Sequence, residues 1–161
     1  MVKICGIDTG LHGAIVCIDG KNVTILDTPI MANGKGKNDY DIAAMRVALI
    51  ELAPDRILLE RAQAMPGQGT VSMFTTGMGY GIWKGLIGGL QIPLQLIHPR
   101  VWQKLMFVGC NGDTKDISYQ VGSSLYPQIA GQLKGPRGGL KDGRCDALMI
   151  AEYGRRTYTA S

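Results

Sequence analysis

The sequence predicts an α/β domain in which a mixed five-stranded sheet is flanked by helices. Three observations carry that expectation. Lys3–Ile18 has the β-branched, turn-separated pattern of a hairpin. Two short apolar runs, Arg56–Glu60 and Leu94–Ile97, lie between stretches of helical spacing, the arrangement that makes strands parallel. A chain of 161 residues with 45% hydrophobic content is enough for one core, so 1–161 reads as a single domain.

In chain order, Val2, Ile4 and Ile7 open the first strand, and Asp8 stands where it turns back through Thr-Gly-Leu-His-Gly. Ala14–Ile18 returns as the second strand and Asn22–Pro29 reads as the third. Met31–Asn38 is a polar loop bearing Lys35 and Lys37, with Asn38 and Asp39 as N-cap candidates. Ile42, Met45, Leu49 and Leu52 recur at helical spacing, and Pro54 closes that helix. Arg56–Glu60, like the first strand, ends on a carboxylate.

The segment from about Thr70 to Leu90 carries Gly77, Gly81, Gly85 and Gly89 at every fourth position. On a helix they form one smooth stripe, at a cost of about 1 kcal/mol each relative to alanine. Something must approach that stripe closely: the sheet beneath it, or a second copy of the chain in a homodimer. Leu94–Ile97 is the fifth strand, and His98-Pro99 starts a helix through Val101, Trp102, Leu105 and Met106. Another helix runs from Asp113 to about Leu125, Gln132–Lys141 reads as a flexible basic loop, and Asp142–Arg156 is the last helix. Trp83, Trp102 and Phe107 read as core, and His98 as structural.

The net charge of +4 is unevenly placed: residues 1–99 balance eight basic against eight acidic groups, so the whole excess lies beyond them. That asymmetry favours a polyanionic partner. Cys5, Cys17, Cys110 and Cys145 show no paired spacing, and with only His12 and His98 beside them they read as buried free thiols of a reducing compartment. No run approaches the roughly 20 apolar residues of a membrane span and no charged-then-apolar leader precedes the first strand. The expectation is a soluble intracellular protein, cytoplasmic or virus-encoded in a host cytoplasm, and organellar only if a transit peptide has been removed.

Four acids stand out: Asp8 and Glu60 at strand ends, and Asp142 and Asp146 on one face of the last helix. Ligands of open α/β sheets collect beyond the carboxyl ends of parallel strands, so Asp8 and Glu60 are expected to meet there. Two unit charges at 4 Å repel by about 4 kcal/mol at an effective dielectric of 20, so gathered carboxylates call for a divalent cation. An all-oxygen set selects Mg²⁺, with Mn²⁺ able to substitute, over zinc. Such a site suits phosphodiester hydrolysis by two metals. Read bare, Asp8 can also cap a turn and Asp142 can be the N-cap of the last helix.

At these residues the sequence resembles the RuvC-like Holliday-junction resolvases of the ribonuclease H superfamily. The motifs are GIDTGLHG around Asp8, LLERAQAMPGQG after Glu60, HPRVWQK from His98, and KDGRCDALMIAEYG around Asp142 and Asp146. The MPGQG loop, the stretch Phe74–Trp83 and the four-residue spacing of the last two acids resemble the chloroplast resolvase branch most. Bacterial resolvases generally space those two acids three apart; here position 143 is glycine and Asp142 substitutes one position earlier. The resemblance implies a ribonuclease H-like fold and a homodimer that cuts opposed strands of a four-way junction. It implies no small-molecule cofactor. Lys115, in GDTKDIS, matches a family lysine near the scissile phosphate, where it would stabilise developing charge.

Once metal neutralises four acids, the positive excess doubles, and DNA binding should weaken steeply with salt. Lys134, Arg137, Lys141 and Arg144 surround the glycine-rich loop beside the acids as candidate backbone contacts, and Lys35 and Lys37 are placed to clamp a second arm. Met65–Phe74 follows Glu60, and loops beside a site commonly bind substrate. Gln63 or Gln68 is the candidate reader of a base edge, and Phe74 is either a stacker at the crossover or core. Two other readings remain: a ribonuclease H-like nuclease for RNA–DNA hybrids, and a non-catalytic dimer that only binds junctions.

Overall fold

The computed structural model describes residues 2–63 and 66–159. Its centre is a five-stranded sheet in the order β3-β2-β1-β6-β7. Strands β1 (Ile4–Asp8), β2 (Ala14–Asp19) and β3 (Asn22–Asp27) form an antiparallel meander, with Cys5 opposite Cys17 and Asp8 opposite Ala14. On the other side of β1, strands β6 (Arg56–Glu60) and β7 (Leu94–Ile97) run parallel to it, with Ile7 paired to Leu59 and Glu60 to Ile97. The mixed five-stranded α/β sheet expected from the sequence is therefore present.

Alternation along β1 divides the core in two. Cys5 and Ile7, with Ile15, Ile57 and Leu59, point to one face and are covered by α1 (Ile42–Leu52) and α2 (Thr70–Gly89), through Met45, Leu49, Trp83 and Ile87. Ile4, Val16 and Leu58 point to the other face, covered by α5 (Asp142–Thr159), α3 (Pro99–Met106) and a 3-10 helix (Pro127–Leu133). Helix α4 (Thr114–Leu125) packs on α5 from outside. Burial on both faces explains why the central strands read as unbroken apolar runs.

Helix α5 reaches the sheet through missing side chains. A Cβ on Gly6 would fall under 3.0 Å from the Ala147 carbonyl oxygen and the Ala151 nitrogen, and one on Gly154 would strike Leu58 and Ile4. The stripe on α2 behaves otherwise. A Cβ on Gly77, Gly81, Gly85 or Gly89 would meet nothing within 4 Å, which removes the sheet as the reason for those glycines. The glycine of α2 that does close on the core is Gly79, against Tyr40.

Three local expectations are corrected. The polar stretch read as a loop holds a small hairpin, β4 (Ile30–Ala32) with β5 (Asn38–Tyr40), whose tip is tied by the Asn33 side chain accepting from the Lys35 and Lys37 amides. Asn38 and Asp39 lie in that strand, and the N-cap is Asp41, whose carboxylate accepts from Ala44 N at 2.9 Å. The basic segment 132–141 is pinned: Lys134 pairs with Leu140, Gly135 N donates to Gly139 O at 2.7 Å, and Gly138 supplies φ +82. Trp83 and Trp102 are buried as expected and Phe107 packs beside the core. All four cysteines are free, with Cys110 exposed and the other three buried. No helix among the described residues is long and apolar enough to cross a membrane.

Candidate active site

Because β1 and β6 are parallel neighbours, their carboxyl ends emerge together, and Asp8 and Glu60 open onto one cleft that Thr9, Gln63, Thr76 and Pro99 help to line. Helix α5 starts beside it. Its first turn carries Asp142 and its second Asp146, and α5 lies over β1. A Cβ at position 143 would fall under 3.0 Å from the His12 carbonyl oxygen and from Gly13, so this turn of the helix sits directly on the Gly10–Gly13 turn. That contact leaves no room for an acid at 143. The four-residue spacing of Asp142 and Asp146 follows from packing.

Three of the four acids are held by separate groups. Trp102 donates from Nε1 to Glu60 at 2.7 Å, and Ser118 donates from Oγ to Asp146 at 2.7 Å. Lys115 Nζ pairs with Asp142 at 2.8 Å. Lys115 and Ser118 stand three apart on α4 and meet acids four apart on α5, one helix face against another. Asp142 lies inside the first turn of α5, with the Lys141 carbonyl accepting from Arg144 and Cys145 N, so the N-cap reading of Asp142 does not hold.

The acids feel one another. Burial pushes the Asp8 carboxyl up to about 7, aided by the charges of Glu60, Asp146 and Asp142. Glu60 is likewise raised to about 7, by burial first and by Asp146, against the opposing bond from Trp102. Burial raises Asp146 too, with Asp142 adding to it and Ser118 and Lys115 working against it. Glu152, further along α5, is fully buried yet shifted the other way, because bonds from Arg155, Tyr126 and Arg156 overcome its burial. A buried acid that lacks a cation and is crowded by other acids marks a functional site, whereas Glu152 marks a structural one.

Among the described residues no three His, Cys, Asp or Glu side chains stand close enough together to hold an ion as arranged. Asp8 and Glu60 border one cleft, and the charges of Asp142 and Asp146 reach Asp8 without the four closing on a point, as expected for like charges whose repulsion at 4 Å is about 4 kcal/mol. Their chemistry suits a hard divalent cation: the donors are all oxygen, and a cation would replace the protons that Asp8 and Glu60 retain near neutrality.

The expected DNA-contacting residues divide into four groups. Lys35 and Lys37 project from the hairpin tip, and Lys37 shares a groove with His12 and with Phe74, which is 72% exposed and therefore not core. Lys141 and Arg137 are exposed in and beside the basic turn. Lys134 and Arg144 are engaged within the chain: Lys134 sits 4.6 Å above the Tyr119 ring, and Arg144 forks onto Asp27 at 2.6 and 2.8 Å while donating to the Gln132 carbonyl. Arg144, a candidate backbone contact, thus also ties α5 to β3. Gln63 bonds His98 beside the Asp8–Glu60 cleft, so His98 is structural in a specific sense, and Gln68 donates to Ser72 at 3.0 Å. Met65, which opens the expected substrate loop, lies outside the described residues.

Trp102 and Ser118 were not foreseen as parts of the site. The available signal was the helical register that places Ser118 three residues after Lys115; Trp102 gave none, since a buried indole looks like core until its N–H is seen to have a partner.

No protein-family model and no curated protein matches the chain. Solved structures do. The chain aligns with Thermus thermophilus RuvC in complex with a Holliday junction substrate at a TM-score of 0.62 and 14% identity, over 99% of this chain and 98% of that one. It aligns with another Thermus thermophilus RuvC structure at 0.61 and 18% identity, over 98% and 97%. The yeast mitochondrial Holliday junction resolvase Ydc2 aligns at 0.61 and 16% identity, over 95% of this chain and 77% of that one. The fold is RuvC-like.

Proposed function

We propose that this RuvC-like domain is a structure-selective endodeoxyribonuclease that resolves four-way DNA junctions, acting as a homodimer with Mg²⁺. The observation that carries the reading is that Asp8 and Glu60 share one cleft at the ends of parallel strands, both raised to about 7, with the charges of Asp142 and Asp146 felt at Asp8. The structural neighbours agree with it, one being described with a Holliday junction and another named as a junction resolvase. Within that class, the MPGQG loop and the spacing of Asp142 and Asp146 favour the chloroplast resolvase branch, and a cytoplasmic setting fits the free thiols.

Asp8, Glu60, Asp142 and Asp146 would hold the cation, with Mn²⁺ able to substitute. Once bound, divalent metal supplies an activated water and a counter-charge for the leaving 3′-oxygen. The remaining chemistry belongs to the chain. Trp102 and Ser118 fix the orientation of Glu60 and Asp146, so neither carboxylate must be ordered when substrate arrives. Lys115, 62% exposed at its side chain, stands beside Asp142, where its ammonium would face the developing phosphate charge. Gln63 lies at the cleft for a base edge, Phe74 stands free to stack on an unpaired base, and Lys35, Lys37, Arg137 and Lys141 face the backbone. The exposed stripe Gly77–Gly89 offers a second copy a close approach.

The test is cleavage of a mobile four-way junction beside linear duplex and an RNA–DNA hybrid, with products mapped on every strand. Paired nicks on opposed junction strands in Mg²⁺, lost in Asp8→Asn and Asp146→Asn while junction binding persists, are expected. Preferred cutting of the hybrid would reassign the enzyme, and retarded junctions without product would leave a binding protein.

A further inference from the structure

We propose that the pocket between the Gly10–Gly13 turn, the end of β3 and the first turn of α5 is a subsite for one non-scissile phosphate of the DNA backbone. The proposal rests on the nuclease reading above. The pocket, about 570 Å³, is separate from the Asp8–Glu60 cleft and is lined by His12, Thr28, Lys141 and Gly143 together with the Asp27–Arg144 pair.

Thr28 supplies the first reason. It is 3% exposed, its amide is fixed by donation to the Gly13 carbonyl at 3.0 Å, and its hydroxyl Oγ1 is buried with no hydrogen-bond partner. A buried hydroxyl without a partner costs roughly 1 to 3 kcal/mol, so its retention in the wall of a polar pocket calls for an acceptor that arrives from outside. The second reason is the helix. The first two N–H groups of the 18-residue α5, those of Asp142 and Gly143, precede the bonds that Arg144 and Cys145 make to the Lys141 carbonyl and lie at the positive end of the helix dipole. Gly143 brings that end against the turn with no side chain in the way.

The third reason is charge. Two carboxylates border the pocket, and both are already answered: Asp27 by the fork of Arg144 and Asp142 by Lys115. Lys141 remains exposed at the rim. An anion there would meet one ammonium, a helix N-terminus and a hydroxyl, a set that fits a phosphodiester oxygen pair. Asp142 borders this pocket and its charge also reaches Asp8, so a phosphate held here belongs to the strand that passes the catalytic acids without being the one cut.

The experiment uses four-way junctions carrying a single neutral methylphosphonate at each position flanking the cleavage point, with binding measured in chelator. For the wild type, one non-scissile position should weaken binding by about tenfold, the size of a lost hydrogen bond to a charged group. In Lys141→Gln and in Thr28→Val that penalty should shrink below about threefold at the same position and stay unchanged at the others. Thr28→Val should melt no lower than the wild type, since the methyl replaces an unpartnered hydroxyl. Equal penalties in all three proteins at every position overturn the subsite and leave the nuclease reading standing; a wild type that retains no junction overturns both.

Discussion

Helices α5 and α2 both carry glycines in an arrangement that costs helical stability, and they do so for opposite reasons. Gly143 and Gly154 on α5, and Gly6 of the sheet beneath it, mark places where a Cβ would enter backbone or core atoms. On α2, Gly77, Gly81, Gly85 and Gly89 face open space. The first set is required by the fold of one chain, and the second is not. A glycine stripe in a sequence therefore announces a close approach without saying to what, and only the neighbouring atoms distinguish packing from an unfilled surface.

The sharpest way to break the contrast is Gly6→Leu, which drives a side chain into the Ala147 and Ala151 backbone. Overpacking of this kind costs several kcal/mol, and urea denaturation should find the chain unfolded or nearly so. A folded variant of unchanged midpoint would refute the close-approach account of α5. Next in size is the acid effect of setting α5 on the strand ends. Asp8 and Glu60 hold protons more tightly folded than unfolded, with native values of about 7 against 3.8 and 4.5. The folded state thus binds the extra protons between these limits, so in chelator stability should fall by a few kcal/mol as pH rises from 4 to 7 and then level off. Asp8→Asn should flatten that slope, and a divalent cation should restore stability at pH 8. A midpoint that rises over the same interval contradicts the assignment.

Gly143→Ala should cost about 1 to 3 kcal/mol and cut cleavage more than binding, because shifting the first turn of α5 misplaces Asp142 before it disturbs the core. The smallest effects belong to α2. Gly85→Ala should stabilise the isolated chain by about 1 kcal/mol, since the methyl meets nothing and helix propensity improves. Gly81→Leu should leave the chain folded while halving the mass measured by light scattering. Retention of a dimer in that variant would separate the stripe from self-association.

Most of the architecture was legible because it is periodic. The five strands of the main sheet and the four long helices follow alternation or helical spacing, and the approach of Asp8 to Glu60 follows from two strands that end on acids and run parallel. The β4–β5 hairpin was not legible, since three-residue strands at a polar tip have no period to detect. The occupation of Arg144 by Asp27 was beyond reach for another reason: the partners are 117 residues apart, and nothing near either names the other. Trp102 was placed correctly in the interior, but its indole bond to Glu60 depends on the geometry of a strand end, which composition does not encode.

The seat of Gly143 on the His12–Gly13 turn has a historical consequence. To move its acid one position along, toward the three-residue interval, the lineage would need to reshape two separate segments at once, and either change alone is penalised. Packing therefore locks the interval between Asp142 and Asp146, and the exposed side chains of the basic turn before it, Arg137 and Lys141, are ones that can change without moving the scaffold.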